Sequence, residues 1–284
     1  MTLPDIWGVA TIATKFALYL GILISSGTVF TSLVFSLKIY RSIPGSFAFL
    51  GLCAALLSFS LLSANLAGDA TGLLDVELLQ LLWSTQAGTT LVFQIAGMGI
   101  LTVGLFMGPL GRWVSALGGL IAIWSFSNIG HIAGDDSLLL KITLATHLTA
   151  IAFWLGVLIP LKKLSTSEKT WATAADLGHR FGLVAVILVP LVLAAGMFMS
   201  FVLVGSIDAL LRTGYGQALI FKTTLVSLLL ALAAANKFRF IPALRKGNPN
   251  AAQNLITSIT AEWAVIFVIL AITAVLTSSL NLPM

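Results

Sequence analysis

Charged residues are scarce in this 284-residue chain. Asp, Glu, Lys and Arg make up only 9% of it, whereas 58% of its residues are hydrophobic. Soluble domains carry roughly 25% charged residues, so most side chains here cannot face water. The mean hydropathy of +1.06 agrees. The composition therefore excludes an ordinary water-soluble domain and indicates a membrane protein.

Cysteine is nearly absent, and a nucleotide-binding motif is absent. The single cysteine, Cys53, excludes an internal disulfide and a Cys-x-x-Cys metal or redox motif. No Walker-type G-x-x-x-x-G-K-[ST] motif is present, so the sequence offers no readable ATP site. Any transport would have to run downhill or be driven by another force. We interpret the chain as a transport-type protein and not as an enzyme.

Long apolar runs are what the chain has in abundance. Each is long enough for a bilayer core of roughly 30 Å at about 1.5 Å per residue, and lipid favours helices because it leaves no partner for an open strand edge. The expected spans are 8–36, 46–66, 82–106, 112–130, 139–161, 180–205, 215–236 and 257–280. We therefore expect an all-α fold, a polytopic membrane helix bundle with about eight transmembrane helices, as one domain over residues 1–284. The first run lacks a basic n-region and is interpreted as a membrane helix, not a removed signal peptide.

Basic residues alternate between the loops. Eleven of the fifteen fall on one side of the predicted bundle: Lys38, Arg41, Arg112, Lys162, Lys163, Lys169, Arg180, Lys237, Arg239, Arg245 and Lys246. The other side holds Lys15, Lys141, Arg212 and Lys222, with seven of the ten acids. The positive-inside rule puts the first side in the cytoplasm. Both termini are then expected outside the cytoplasm.

The fifth run carries a histidine at membrane depth. His147 lies about eight residues in from the outer end, roughly 12 Å deep, and shares a helix face with Thr143 and Trp154. An ionisable group at that depth marks by default a functional site facing the bundle interior. The alternative is a neutral histidine bonded to a neighbouring serine or threonine.

Other polar or sulfur-bearing side chains are expected at a similar depth. They are Asn128 and His131 at the end of the fourth run, Met197 and Met199 in the sixth, Tyr215 and Lys222 on one face of the seventh, and Gln86, Thr90 and Gln94 along the third. Imidazole with thioether suits Cu(I), whereas Mg²⁺ and Ca²⁺ require several carboxylates. Glu262 is the only acid expected within the membrane, near the inner end of the eighth run, so a proton relay has little support.

Each of these residues has a structural alternative. Methionines serve more often as core filler than as ligands, and Lys222 could extend to the membrane surface. The glutamine stripe could hold helices together. These alternatives stay open on the residues alone.

Three segments resemble the copper resistance protein D family. "HLTAIAFWLGVLIPL" (147–161) resembles its H-L-x-A-x-x-x-W-L-G-G-L-x-P-L signature, and "HRFGLVAVILVPLVLAAGM" (179–197) resembles a second helix of the family. "LLRTGYGQALIFKTTLVSLLLALAAANKFRFIPAL" (210–244) resembles a long block that contains T-x-Y-G, a lysine and A-x-N-R. Val157, Gly182 and Lys237 depart mildly from the family pattern. Over the first 110 residues the resemblance rests on hydropathy alone.

The resemblance implies a bacterial inner-membrane protein that moves copper from periplasm to cytoplasm. It also implies a possible periplasmic partner, a copper carrier of the CopC type. The matched positions are His147, Trp154, Tyr215, Gly216, Lys222 and Asn236, of which only His147 is an obvious metal ligand.

Our hypothesis is copper capture by His147, His131 and either Met197 or Met199, with Cu(I) favoured and Cu(II) possible. Trp154, Tyr215, Lys222, Asn128, Gln86 and Gln94 would support the site or line the path. One alternative is a non-transporting copper chaperone or oxidase-assembly factor. Another is a membrane redox protein that holds b-type haem between His131 and His147.

Overall fold

The computed structural model describes residues 6–37, 41–128 and 137–278, and within these ranges it contains helices and no β-strand. The expected all-α polytopic bundle is therefore confirmed. The α-helices are α1 (Ile6–Phe35), α2 (Ser42–Ala67), α3 (Val76–Trp83), α4 (Gln86–Phe106), α5 (Gly111–Trp124), α6 (Leu138–Ser165), α7 (Trp171–Val204), α8 (Ile207–Arg212), α9 (Gly214–Ala235), α10 (Ile241–Arg245) and α11 (Pro249–Ser278).

Seven described helices are long and apolar enough to cross a membrane, where the sequence predicts about eight. The fourth expected run forms the 14-residue helix α5, which continues as a 3₁₀ turn over Ser125–Asn128. The hydroxyls of Ser125 and Ser127 bond to carbonyls three residues earlier, which competes with regular α-helical bonding. At 1.5 and 2.0 Å per residue the two pieces together span about 29 Å. This segment is thus long enough for a bilayer core only when its 3₁₀ turn is included.

Three helices extend past the apolar runs. α7 begins at Trp171 and α11 at Pro249, several residues before the predicted spans, because a polar first turn continues each helix beyond its apolar part. α9 runs through a π-helical turn, Asn236–Phe240, into α10. Hydropathy did not reveal that turn. The early start of α11 puts Glu262 about 20 Å from the helix's first residue, although the acid is only five residues into the eighth apolar run.

α1 is the central helix of the bundle and packs against α2, α5, α6 and α11. Its backbone touches that of α6 at Gly27 and Gly156. A Cβ on Gly27 would lie 1.8 Å from the Ala152 carbonyl oxygen, and one on Gly156 would lie 2.0 Å from the Gly27 oxygen. Thr31 Oγ1 also donates to the Phe153 carbonyl at 3.2 Å. Small residues at a crossing let membrane helices approach closely, and here they hold α6 against the core.

The two ends of the bundle differ chemically. At one end Lys15 Nζ donates to the Thr277 carbonyl at 2.5 Å, which satisfies an orphan acceptor at the α11 C-terminus. At the other end Arg180 lies over the ring of Phe35, 5.2 Å from its centroid. Arg41 lies over Phe106 in the same way, at 5.6 Å. Two arginine side chains thus pack on aromatic rings at the end of the bundle where the loops are basic.

Candidate functional site

His147 is held by the neighbouring helix α7. Its Nδ1 lies 3.0 Å from the main-chain carbonyl oxygen of Val192. Since a carbonyl only accepts, Nδ1 carries the proton, and the lone pair of the neutral ring is on Nε2. The partner is thus a backbone carbonyl and not the serine or threonine hydroxyl considered from the sequence. Metal-binding histidines are oriented by this kind of second hydrogen bond.

Two residues shape the space around the imidazole. Gly196 on α7 faces the ring, and a Cβ placed there would lie 3.5 Å from His147 Cε1. Lys222 on α9 is half-buried and close enough for its charge to act on His147. The imidazole therefore sits between α6 and α7, within the electrostatic range of one positive charge.

The two candidate methionines of α7 have different surroundings. Met199 is seven residues after Val192, so it lies on the face of α7 that meets α6. It is 9% exposed and packs against Leu140. Met197 is 72% exposed and points away from that face. Only Met199 is therefore on the side of α7 that holds His147.

The remaining candidates do not gather around His147. Gln94 is buried on α4, a helix that packs mainly against α2 and α5. Thr90 Oγ1 donates to the main-chain carbonyl of Asn128 at 3.4 Å, and Gln86 is exposed at the start of α4. Tyr215 is buried in a small cluster with Val204 and Leu276. His131 lies outside the described residues.

A second polar group lies deeper along the same face of α6. Trp154 Nε1 donates to Glu262 Oε2 at 3.3 Å, and Asn236 Nδ2 donates to Glu262 Oε1. The exposed fractions are 7% for Trp154, 1% for Glu262 and 8% for Asn236. Three helical segments that are far apart in sequence thus converge on one carboxyl group, which we call the Glu262 triad.

The triad has hydrogen-bonding capacity to spare. Asn236 Oδ1 and Ser258 Oγ are buried without a hydrogen-bond partner among the described residues, and Ser258 is one turn from Glu262 on α11. Asn236 begins the π-helical turn, a distortion that often occurs at functional sites. Such unpaired buried groups are costly. They leave the triad able to form further hydrogen bonds.

Sequence reasoning named the three triad residues without joining them. Trp154 and Asn236 appeared as matched family positions, and Glu262 as a lone acid. The available signal was that each is a polar group inside an apolar run. Within residues 6–37, 41–128 and 137–278, no group of three or more His, Cys, Asp and Glu side chains is placed to hold a metal ion. A copper site built on His147 would need sulfur ligands or His131.

Two family models match the chain. The model described as copper resistance protein D matches residues 175–276, and that of the copper resistance protein D-like N-terminal domain matches residues 3–142. The chain belongs to the copper resistance protein D family. The N-terminal match extends the resemblance to residues where the sequence had offered only hydropathy.

Two curated proteins are similar to this family member. Copper transport protein CutJ of Bacillus subtilis (strain 168) is 28% identical over 296 aligned positions, which cover 94% of this chain and 52% of CutJ. Inner membrane protein YebZ of Escherichia coli (strain K12) is 29% identical over 155 positions, 53% of each chain. The chain thus spans about half the length of the curated relatives it matches. No solved structure matches it.

Some site residues of this copper resistance protein D family member lie within the matched ranges, and others lie between them. Lys222, Asn236 and Glu262 lie within the range matched by the copper resistance protein D model. His147 and Trp154 fall between the two matched ranges. The helix α6 therefore carries site residues that neither model covers.

Proposed function

We propose that this membrane protein binds copper on its periplasmic side at His147 and moves it toward the cytoplasm. The family assignment and the name of its relative CutJ support a copper-handling role. The proposal places the protein in the bacterial inner membrane with both termini periplasmic. That orientation rests on the positive-inside rule.

The observation that carries the proposal is the hydrogen bond between His147 and Val192. It fixes the ring orientation and directs protonation to Nδ1. No described residue bonds to Nε2, so this nitrogen is available as a ligand.

The proposed ligand set is His147 with Met199 and His131. Met199 is favoured over Met197 because it shares a face of α7 with Val192 and Gly196. Imidazole and thioether together favour Cu(I), with Cu(II) as an alternative. His131 belongs to the proposal on sequence grounds, since it follows the fourth apolar run.

The Glu262 triad supports movement of copper beyond the outer site. His147 and Trp154 are seven residues apart on one face of α6, which is about 10 Å along the axis. A cation leaving His147 inward would thus meet a carboxyl group within the next two turns. An inside-negative potential would favour its passage by about 2.3 kcal/mol per charge per 100 mV, with no need for ATP.

A second candidate function is copper delivery without transport. The segment of α6 past Trp154 is apolar and tightly buried, with Leu155, Val157 and Leu158 at most 2% exposed. Such packing favours a protein that binds copper at its outer face and passes it to a partner. A periplasmic carrier of the CopC type is the proposed donor in either case.

The deciding experiment measures copper uptake into proteoliposomes under an imposed inside-negative potential. The purified full chain is compared with His147→Ala and with His179→Ala. The second variant is a matched control, because His179 belongs to α7 at the opposite end of the bundle. Cu(I) binding by each variant is measured separately in competition with a chromophoric chelator.

Transport predicts potential-dependent uptake that is lost in His147→Ala and kept in His179→Ala, with binding lost in parallel. Copper binding without uptake would replace transport by the delivery function. Unchanged copper stoichiometry and affinity in His147→Ala would overturn the site itself.

A further inference from the structure

A cavity of about 280 Å³ opens at the basic end of the bundle, between α7 and the turn that joins α9 to α10. It is distinct from the sites around His147 and Glu262. Its polar lining consists of His179, Lys237, Arg245 and Lys246, and its apolar lining includes Leu183 and Phe238. Neither site described above uses any of these six residues.

The cavity is built by close contact between α7 and the helical turn opposite. A Cβ on Gly178 would lie 2.3 Å from Ile241 Cδ1, and one on Gly182 would lie 3.4 Å from Lys237 Cγ. The two glycines therefore make room for Ile241 and for the aliphatic stem of Lys237. The π-helical turn places Lys237 and Phe238 at the cavity edge.

The charged residues that line the cavity are all cations, and no acidic residue lines it. Lys237, Arg245 and Lys246 form no salt bridge with any described residue, and the ion pair at this end joins Arg180 to Asp176. Lys237 Nζ instead lies 5.4 Å from the centre of the Phe238 ring. Three cations that line one cavity without a counter-ion raise the local concentration of anions. The same charge would repel a copper ion.

The apolar wall continues onto the lipid-facing surface of α7. Leu183 is 59% exposed, Ile187 is 75% exposed, and Phe238 across the cavity is 74% exposed. Leu183 and Ile187 are four residues apart, so they form one apolar strip that leads away from the cations. A ligand that fits this arrangement has an anionic group at one end and hydrocarbon chains at the other.

We propose that this cavity binds the phosphate headgroup of an anionic phospholipid, with its acyl chains along Leu183 and Ile187. Basic pockets between transmembrane helices on the cytoplasmic side bind such headgroups in other membrane proteins. The lipid would hold α10 against α7 at the end of the bundle where the basic loops lie.

The test is retention of lipid by the purified full chain, measured by native mass spectrometry with phosphatidylglycerol and phosphatidylcholine at equal amounts. The cavity variant combines Lys237→Gln, Arg245→Gln and Lys246→Gln. The control variant combines Lys162→Gln, Lys163→Gln and Lys169→Gln, which removes the same charge from the basic end outside the cavity. Gel filtration checks that both variants fold. If the cavity variant does not fold, Arg245→Gln alone replaces it.

The proposal expects the wild type and the control variant to retain more phosphatidylglycerol than phosphatidylcholine. In the cavity variant, the ratio of retained phosphatidylglycerol to phosphatidylcholine should fall at least fivefold. Equal loss in the control would overturn it, because surface charge alone would then explain the binding. Absence of preference in the wild type would also overturn it. Displacement of the lipid by millimolar inorganic phosphate would identify a free anion as the ligand and reject the lipid.

Discussion

The helices α1 and α9 are both long apolar segments, yet the fold uses them in opposite ways. α1 buries 15 of its 30 residues, whereas α9 buries only Tyr215 and Gly216 of its 22. α1 touches its neighbours through glycine backbones. α9 instead carries the half-buried Lys222 and leads into Asn236 of the Glu262 triad.

The two regions differ in what they contribute to the bundle. The N-terminal helices make the close crossings that define the bundle, and their polar residues mostly bond within their own helix, as Ser25 does to the Gly21 carbonyl. The C-terminal helices pack more loosely and bring polar side chains from distant parts of the chain together. Substitutions at the N-terminal crossings should therefore lower stability most, whereas substitutions around His147 should change copper binding.

The largest effect is expected at the α1–α6 crossing. Gly27→Leu would drive a side chain into the Ala152 carbonyl, a backbone group that cannot move aside. The free energy of unfolding should fall by more than the ~1–3 kcal/mol typical of overpacking, with loss of monodisperse protein in detergent. Gel filtration and thermal unfolding would measure this.

The matched control is Gly99→Leu on α4, where an added Cβ meets nothing within 4 Å. This variant should behave like the wild type. Equal losses in both variants would show that α1 holds no special place in the core.

A smaller loss of stability is expected from Glu262→Leu. Trp154 Nε1 and Asn236 Nδ2 would each lose their acceptor, and an orphaned buried donor costs about 1–3 kcal/mol. Glu262→Gln keeps one acceptor oxygen and should lose less. Thermal unfolding of both variants under identical conditions would rank them. A Glu262→Leu protein more stable than the wild type would mean that burying the carboxyl group costs more than its hydrogen bonds return.

The proposed copper site predicts a change in affinity without a change in stability. Met199→Leu should weaken Cu(I) binding about tenfold, or about 1.4 kcal/mol, because the thioether is lost while side-chain volume is kept. Met197→Leu should leave the affinity unchanged, since that side chain faces away from α6. Chelator competition on both variants is the measurement, and equal weakening would reject the assignment of Met199.

The smallest effect is expected from Lys222→Met. Removing a positive charge near His147 should tighten Cu(I) binding by about fivefold, or about 1 kcal/mol, a modest value for two charges in a partly buried setting. The gain should shrink at high salt if the site is open to solvent. Weaker binding in this variant would instead indicate that Lys222 positions the imidazole.

Most of the fold was readable from the sequence. Every expected apolar run forms a helix in the described residues, because intrahelical bonding is the only way an isolated segment can satisfy its backbone in lipid. The interruption of α5 at Ser125 and the π-helical turn after Ala235 were not readable. The first follows the local bonds of the Ser125 and Ser127 hydroxyls, and the second begins at Asn236, which bonds to Glu262 on α11. Apolar periodicity encodes neither.

The sequence predicted individual residues of the candidate site but not how they are arranged. Depth and polarity drew attention to His147, Lys222 and Glu262 as single residues. Periodicity placed Met197 and Met199, two residues apart, on different sides of one helix, and the fold decided that Met199 is on the side that meets α6. The ligand role of His147 and its partners remains a prediction.

The sequence by itself determined that this chain is a helical membrane protein of the copper resistance protein D family, because composition and local motifs are properties of continuous segments. The tertiary structure alone decided that His147 bonds to Val192, 45 residues away, and that Trp154 meets Glu262, 108 residues away. Helical periodicity fixes which residues share a face. Which helix that face meets is decided by packing across the whole bundle.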